Sequence, residues 1–179
     1  MWYTYPWKFG TKGFTEDCIM SKIASHGQKA AELFLNGCNC AQASFCAFCD
    51  MTDMDEKTAL RLSSSFGGGM GRMREVCGAL SGVFMACGIL YGYSEIGNDT
   101  LKAEHYALIQ EIARRFKEKH GSIICRELLA PLSPDTSPSP TARTEEFYKT
   151  RPCAKFIHDA AEILDGVIAE RDHKEDNPH

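Results

Sequence analysis

Residues 65–82 read SFGGGMGRMREVCGALSG. Gly67, Gly68, Gly69, Gly71 and Gly78 crowd around one thiol, Cys77. Glycine loses more backbone freedom on folding than any other residue, so this density beside a cysteine needs a reason. Two uses fit. Glycines with positive φ let the chain turn sharply between two helices, leaving bare N–H groups to cradle an anion or a thiolate where the next helix starts. Alternatively, they only allow helices to pack closely. The Lys-Ser/Thr of a P-loop does not follow. The GxGxxG fingerprint needs a preceding strand, and the pattern offers none.

Beyond the glycines, the spacing predicts a long helix from about Arg72 to Tyr93. Nothing is charged from Val76 to Ser94, a length close to that of a membrane span. Gly78, Ser81, Gly82, Gly88 and Gly92 dilute its hydrophobicity, so a central helix buried on all sides fits better. Gly78, Gly82 and Ala86 recur every four residues. They give that helix one smooth face, open to another helix or to a flat cofactor.

Helical period dominates the rest, with almost no strand alternation. A first helix is expected from about Glu16 to Asn36, with Ile19, Ile23, Ala30, Leu33 and Phe34 inward and Gly37 as a left-handed cap. A second covers Cys40 to Asp50. A third starts near Asp53, with Glu56 completing a capping box, and ends before Gly67. An amphipathic helix runs from Asp99 to Lys119, with Leu101, Leu108, Ile112 and Phe116 inward, and His120-Gly121 closes it. A short helix spans Ser122 to Leu129. Four prolines make residues 131–143, PLSPDTSPSPTAR, a surface loop or lid. The last helix runs from Pro152 to Arg171, and the tail 172–179 is expected to be disordered. The expected class is all-α, a compact multihelical bundle in which a glycine-rich loop leads into a buried central helix. Residues 16–171 form one domain. The arm 1–15 docks its aromatics Trp2, Tyr3, Tyr5 and Trp7 on that domain or on a partner subunit, as in a homodimer.

Composition narrows the function. The net charge is −4, and no basic stripe carries interleaved aromatics, which argues against a nucleic-acid partner. The N-terminus lacks the apolar core of a signal peptide. Nine cysteines in 179 residues are the outlier. Their odd number and the absent secretion signal argue against a secreted disulfide scaffold. They point to a cytoplasmic protein that binds metal or does redox chemistry, without a membrane partner.

Four of the nine fall at expected helix N-termini: Cys40, Cys77, Cys125 (three residues past the expected cap Ser122) and Cys153 after Pro152. Unpaired N–H groups and the helix dipole favour a thiolate there, and such sites can lower a cysteine pKa from about 8.5 to roughly 3.5–7.5. Arg72, Arg74, Arg126 and Arg151 are near enough in sequence to add to this. Cys77 is the expected most activated thiol, with Cys40 as its partner. Cys46 and Cys49, in CAFC, read as helical core or as a redox pair or half a zinc site. Cys38 could join a cluster. Cys18 and Cys87 read as packing residues. His26, His105, His120 and His158 are candidate ligands, though each reads first as a polar surface or capping residue.

The motifs CNCAQA at Cys40, VCGALSG at Cys77, CRELL at Cys125 and RPCAKF at Cys153, with GGGMGR before the second, resemble the C-GCAxxG-C-C family of redox-active proteins. The resemblance runs from about Asn36 to Ala161. It implies redox activity from the cysteines rather than a defined reaction. Some members look related to split-Soret cytochromes c, which carry haem. Here Val76, not glycine, precedes Cys77, and no C-x-x-C-H is present, so covalent c-type haem is not supported.

Three readings follow. In the first, Cys40, Cys77, Cys125 and Cys153 converge, either as ligands of an iron–sulfur cluster or other metal or as thiol–disulfide pairs, and exchange electrons with a redox partner protein or a small redox molecule. Gly67, Gly68, Gly69, Gly71 and Gly78 then form the cradle. In the second, the four thiolates close a structural zinc site. The third is a cofactor-free helical oligomer.

Overall fold

The computed structural model describes residues 25–132 and 134–175. The expected arm 1–15, Cys18, Ile19, Ile23 and the tail beyond Glu175 lie outside the described residues. Within them the fold is all-α, with nine α-helices and no strand.

Helix α1 (His26–Leu35) begins where Ser25 accepts a hydrogen bond from the Gln28 N–H. With that cap α1 opens at His26, and the expected helical stretch 16–24 lies outside the described residues. At the other end Gly37 takes φ +108°, and the N–H groups of Gly37 and Cys38 return to the carbonyls of Phe34 and Leu33. This glycine-closed turn reverses the chain as expected. The single helix expected over 40–50 is split into α2 (Cys40–Cys46) and α3 (Cys49–Thr52). The break lets Phe48 turn into the core, where it is fully buried and stacks on His26 at 4.2 Å. Asp53 is left-handed and ends α3. Asp55, not Asp53, caps α4 (Glu56–Ser63), by accepting from the Thr58 N–H.

The glycine-preceded helix is shorter than expected. Helix α5 (Gly78–Tyr91) starts after Cys77. Residues 70–77 instead follow an irregular path, with Met70, Arg72 and Arg74 at positive φ. The reason is competition for hydrogen bonds. The Cys77 N–H donates to Ile123 O at 2.8 Å, the Cys125 N–H to Glu75 O at 2.6 Å, and the Arg126 N–H to Arg74 O at 3.1 Å. Val76 and Ile124 thus pair as an antiparallel bridge. Helix α5 is buried in its first half, while Ile89 near its end is 49% exposed, so it is not enclosed on all sides. No helix among the described residues is long and apolar enough to cross a membrane.

Helix α6 (Asp99–His120) is capped by Asn98 and closed by left-handed Gly121. Ile112 and Phe116 are buried as expected, but Leu101 is exposed. Helix α7 is only Cys125–Leu128. Ser122 does not cap it and instead accepts from the Ile124 N–H. The segment 134–144 has no regular structure, and α8 (Glu145–Thr150), which the sequence reading missed, follows it with Thr144 as cap. Helix α9 (Cys153–Glu175) opens at Cys153 and continues through 172–175, where disorder was expected.

The core forms where α2 lies on α5 and α1 lies on α9. Phe45, Phe116, Leu80, Ile112, Ile157 and Leu164 are fully buried there. The smooth face of α5 meets α2, not a flat cofactor. A Cβ at Gly82 would lie 2.6 Å from Ala41 O and 2.6 Å from Ser44 Cβ. Away from this contact, a Cβ at Gly88 meets nothing within 4 Å.

Two predictions follow from this packing. Gly82→Ala should destabilise the fold by about 1–3 kcal/mol through overpacking, whereas Gly88→Ala should stabilise it by roughly 0.5–1 kcal/mol through helix propensity. Urea unfolding of both variants measures the contrast. The second concerns His26, whose Nδ1 lies 2.5 Å from Asp165 Oδ1 and whose Nε2 lies 3.2 Å from Asp50 Oδ2. The Asp165 hydrogen bond, opposed by burial and helped by the charges of Asp165 and Asp50, raises its pKa. A raised folded pKa stabilises fully below the unfolded value near 6.5, and that stability is lost as pH rises through the folded value. His26→Gln should therefore lower stability by about 1 kcal/mol at pH 6 and by less at pH 9, measured by urea unfolding at both.

Candidate functional site

The sequence around Cys40 fixes its place. Asn39 caps α2 by accepting from the N–H groups of Ala41 (2.9 Å) and Gln42 (3.0 Å), and Gln42 Oε1 accepts in return from the Asn39 N–H. This reciprocal box is anchored outward, since Asn39 Nδ2 donates to Ser64 O and Gln42 Nε2 to Leu60 O. Cys40 is thereby the first residue of α2, held against the start of α5.

The glycines bring the other thiols in. A Cβ at Gly78 would collide with Cys40 Sγ, and one at Gly67 would lie 2.5 Å from Asn39 Cγ. Gly69, at φ +72°, sits where a Cβ would lie 2.7 Å from Cys125 Cβ and 2.8 Å from Glu75 N. The Gly68 N–H donates to Cys40 Sγ at 3.3 Å. The Val76–Ile124 bridge then sets Cys77 beside Cys125. The start of α9 adds Cys153.

All four thiols line one cavity of about 350 Å³. Gly67, Gly68, Gly71 and Gly78 line it too, while Gly69 lies behind it against Cys125. Each of the four sulfurs interacts electrostatically with the other three: Cys40 with Cys125, Cys77 with Cys40, Cys125 and Cys153, and Cys153 with Cys40 and Cys125. Cys77 and Cys125 are buried at 6% exposure, whereas Cys40 and Cys153 are half-buried. Among the described residues there is no disulfide, and no group of three or more His, Cys, Asp or Glu side chains is placed to hold a metal ion.

At Cys40, Cys77 and Cys153 burial works against the expected lowering of the thiol pKa. Burial pushes the Cys40 thiol up, although the N–H groups of Gly68, Cys40 and Ala41 pull it down. Burial, then the neighbouring sulfurs of Cys40, Cys125 and Cys153, drive Cys77 well above its ordinary value against the Ala79 N–H. Cys153 is pushed up to about 12 by burial, despite the charges of Arg151 and Arg143. Helix N-termini do favour the thiolate here, as reasoned, but desolvation outweighs them. Burial thus works against the expected activation of Cys77. The neighbouring arginines also have other work. Arg72 clamps the segment 135–141, through Asp135, Ser137 O and Thr141, and Arg126 pairs with Glu75 at 2.6 Å.

The lowered thiol lies elsewhere, at the CAFC pair. The break after α2 separates Cys46 from Cys49, and the two thiols still act on each other, Cys46 pushed up and Cys49 pulled down. The interaction with Cys46, and then the charge of Lys29, lower Cys49 against burial and the charges of Glu56 and Asp50. Cys46 is buried and Cys49 half-buried. Cys38 is raised by burial and by Glu56, and Cys87 is buried and pushed up to about 11. The C-x-x-C spacing was the visible signal for this pair, but the helix break was not visible. Iodoacetamide labelling of the reduced protein across pH 6–9, read by peptide mass spectrometry, should modify Cys49 at lower pH than Cys40, Cys77 or Cys153.

No curated protein and no solved structure matches the chain. One family model matches residues 38–167, and its description is "Putative redox-active protein (C_GCAxxG_C_C)". That match takes in Cys40, Cys77, Cys125 and Cys153, the glycine loop between the first two, and every described cavity-lining residue except Phe34. With most of its length matched, the chain belongs to the C_GCAxxG_C_C family of redox-active proteins.

Proposed function

We propose that the four-thiol cavity works by thiol–disulfide exchange, with Cys40 as the attacking thiol and Cys77 as its resolving partner. The observation that carries this is the meeting of four sulfurs from four separate segments in one cavity, each within electrostatic reach of the other three. A dithiol needs two sulfurs to meet at a time, whereas a metal centre needs three or four positioned at once. Cys40 is favoured as attacker because it is half-buried and receives the Gly68 N–H. Among the sulfurs, Cys40 acts most strongly on both Cys77 and Cys153.

The Cys40 thiol loses a proton, and its sulfur attacks a substrate disulfide RSSR. A Cys40–SR bond forms, the S–S bond breaks, and RS⁻ leaves. Cys77, deprotonated in turn, attacks Cys40 Sγ and expels the second RS⁻. Two electrons pass from the two thiols to the substrate, and the two protons end on the two RS⁻ groups. Because burial raises both thiol pKa values, thiolate is the minor form at neutral pH. The rate should rise continuously with pH from 6 to 9 rather than level off.

Anaerobic reduced protein treated with a small disulfide tests the reading. Loss of thiols with a continuous rise of rate with pH is expected. Cys40→Ser should slow the cavity reaction by at least about a hundredfold, the scale of losing a covalent nucleophile, and Cys49→Ser should leave it in place. Stoichiometric iron with labile sulfide in the purified protein, or a reaction that survives in Cys40→Ser and vanishes in Cys49→Ser, would overturn it.

A further inference from the structure

Thiols kept protonated by burial need no counter-charge, yet Arg72, Arg74, Arg143 and Arg151 all line the same cavity. Among the described residues that line it there is no Asp and no Glu. The chain as a whole carries net charge −4, so this excess of positive charge is local. Two of the four arginines are occupied. Arg72 holds Asp135 and Ser137 O, and Arg143 donates to Phe34 O and Cys38 O while its guanidinium lies 4.6 Å over the Phe34 ring.

Arg74 and Arg151 are different. Arg74 is 3% exposed, and its Nε donates to Asp135 O at 2.9 Å, but its buried Nη2 has no hydrogen-bond partner. A guanidinium cannot shed its charge to relieve that cost, as a lysine or histidine would. The Asp135 carboxylate meets part of that charge, but a buried guanidinium N–H group left without a partner is still costly enough to need an explanation. Arg151 rests on the Phe147 ring at 4.9 Å and stands two residues before Cys153. The remaining wall near them is apolar, with Phe147, Phe156 and Leu129. The volume of about 350 Å³ lies at the small end of ligand cavities, roughly 300–1,000 Å³.

We propose that Arg74 and Arg151 bind the carboxylate of a small anionic disulfide and so present its S–S bond to Cys40. The inference rests on the exchange chemistry above and names its substrate class: a low-molecular-weight disulfide with an aliphatic arm that ends in a carboxylate. Guanidinium forks match carboxylate oxygens in pairs, and the burial of Arg74 strengthens that pairing. The apolar wall takes the aliphatic arm. The same positive charge favours departure of the RS⁻ product, whose negative charge develops as the S–S bond breaks.

The test separates binding from chemistry. Thiodipropionate is a dicarboxylate thioether that cannot exchange, and calorimetry measures its affinity for the reduced protein. Binding is expected, weakened at least about tenfold, the scale of one charge-assisted hydrogen bond, in Arg74→Gln and in Arg151→Gln. It should be unchanged in Arg126→Gln, which lies outside the cavity. In the second arm, dithiodipropionate and cystamine are disulfides of similar shape and opposite charge. With each rate normalised to that with dithiothreitol, the protein should prefer dithiodipropionate at least about tenfold, and both arginine variants should lose the preference. Circular dichroism checks each variant, and if Arg74→Gln does not fold, Arg151→Gln decides. Absence of thiodipropionate binding, or equal affinity in the folded variants, overturns the inference whatever the thiols do. Arginine-dependent binding without oxidation by either disulfide leaves the anion site standing and removes the exchange chemistry instead.

Discussion

The close approach of α2 to the glycine face of α5 governs this molecule. Gly78 and Gly82 leave room for Cys40, Ala41 and Ser44 to sit against the α5 backbone. Any side chain there would push α2 away and take the Cys40 sulfur with it. The Asn39–Gln42 box fixes the α2 N-terminus from the other side. The preceding loop is bent by its own pairing with residues 123–126, which carries Cys125 to the same point. One packing constraint therefore builds the core and assembles the thiols.

The same constraint sets the chemistry. Contact tight enough to bring four sulfurs together also excludes water from them. Helix N-termini and backbone N–H groups pull toward thiolate, but the loss of hydration pulls harder at Cys40, Cys77 and Cys153. Burial thus favours the protonated thiol at these three positions. Cys49 shows the opposite balance, with less cover, the neighbouring Cys46 thiol and a nearby ammonium in Lys29. Two thiol environments of opposite character coexist on one short helical pair.

Much of this was legible in the sequence because it depended on local pattern. The Gly78–Gly82 period announced a smooth helix face, and Gly37 and Gly121 ended their helices where expected. The ordered single cysteines led to the family and to the four residues that line the cavity. What the sequence hid was tertiary. The hydrogen bonds to residues 123–125 that shorten α5 come from a segment far along the chain. The turn at Ala47–Phe48 serves the burial of Phe48 against His26. The thiol pKa directions depend on burial, which helix position alone does not reveal. The Asn39–Gln42 box was readable as Asn-x-x-Gln but sat inside a motif whose cysteines drew the eye.

Cys40, Cys77, Cys125 and Cys153 line one cavity, and peptide mapping of the anaerobic Cys49→Ser protein oxidised by one equivalent of diamide asks whether they also share redox chemistry. A disulfide that joins Cys40 to Cys77 is expected in the major product, with any further linkage among these four. A map in which all four remain reduced, while oxidation falls on other cysteines, would rule this out.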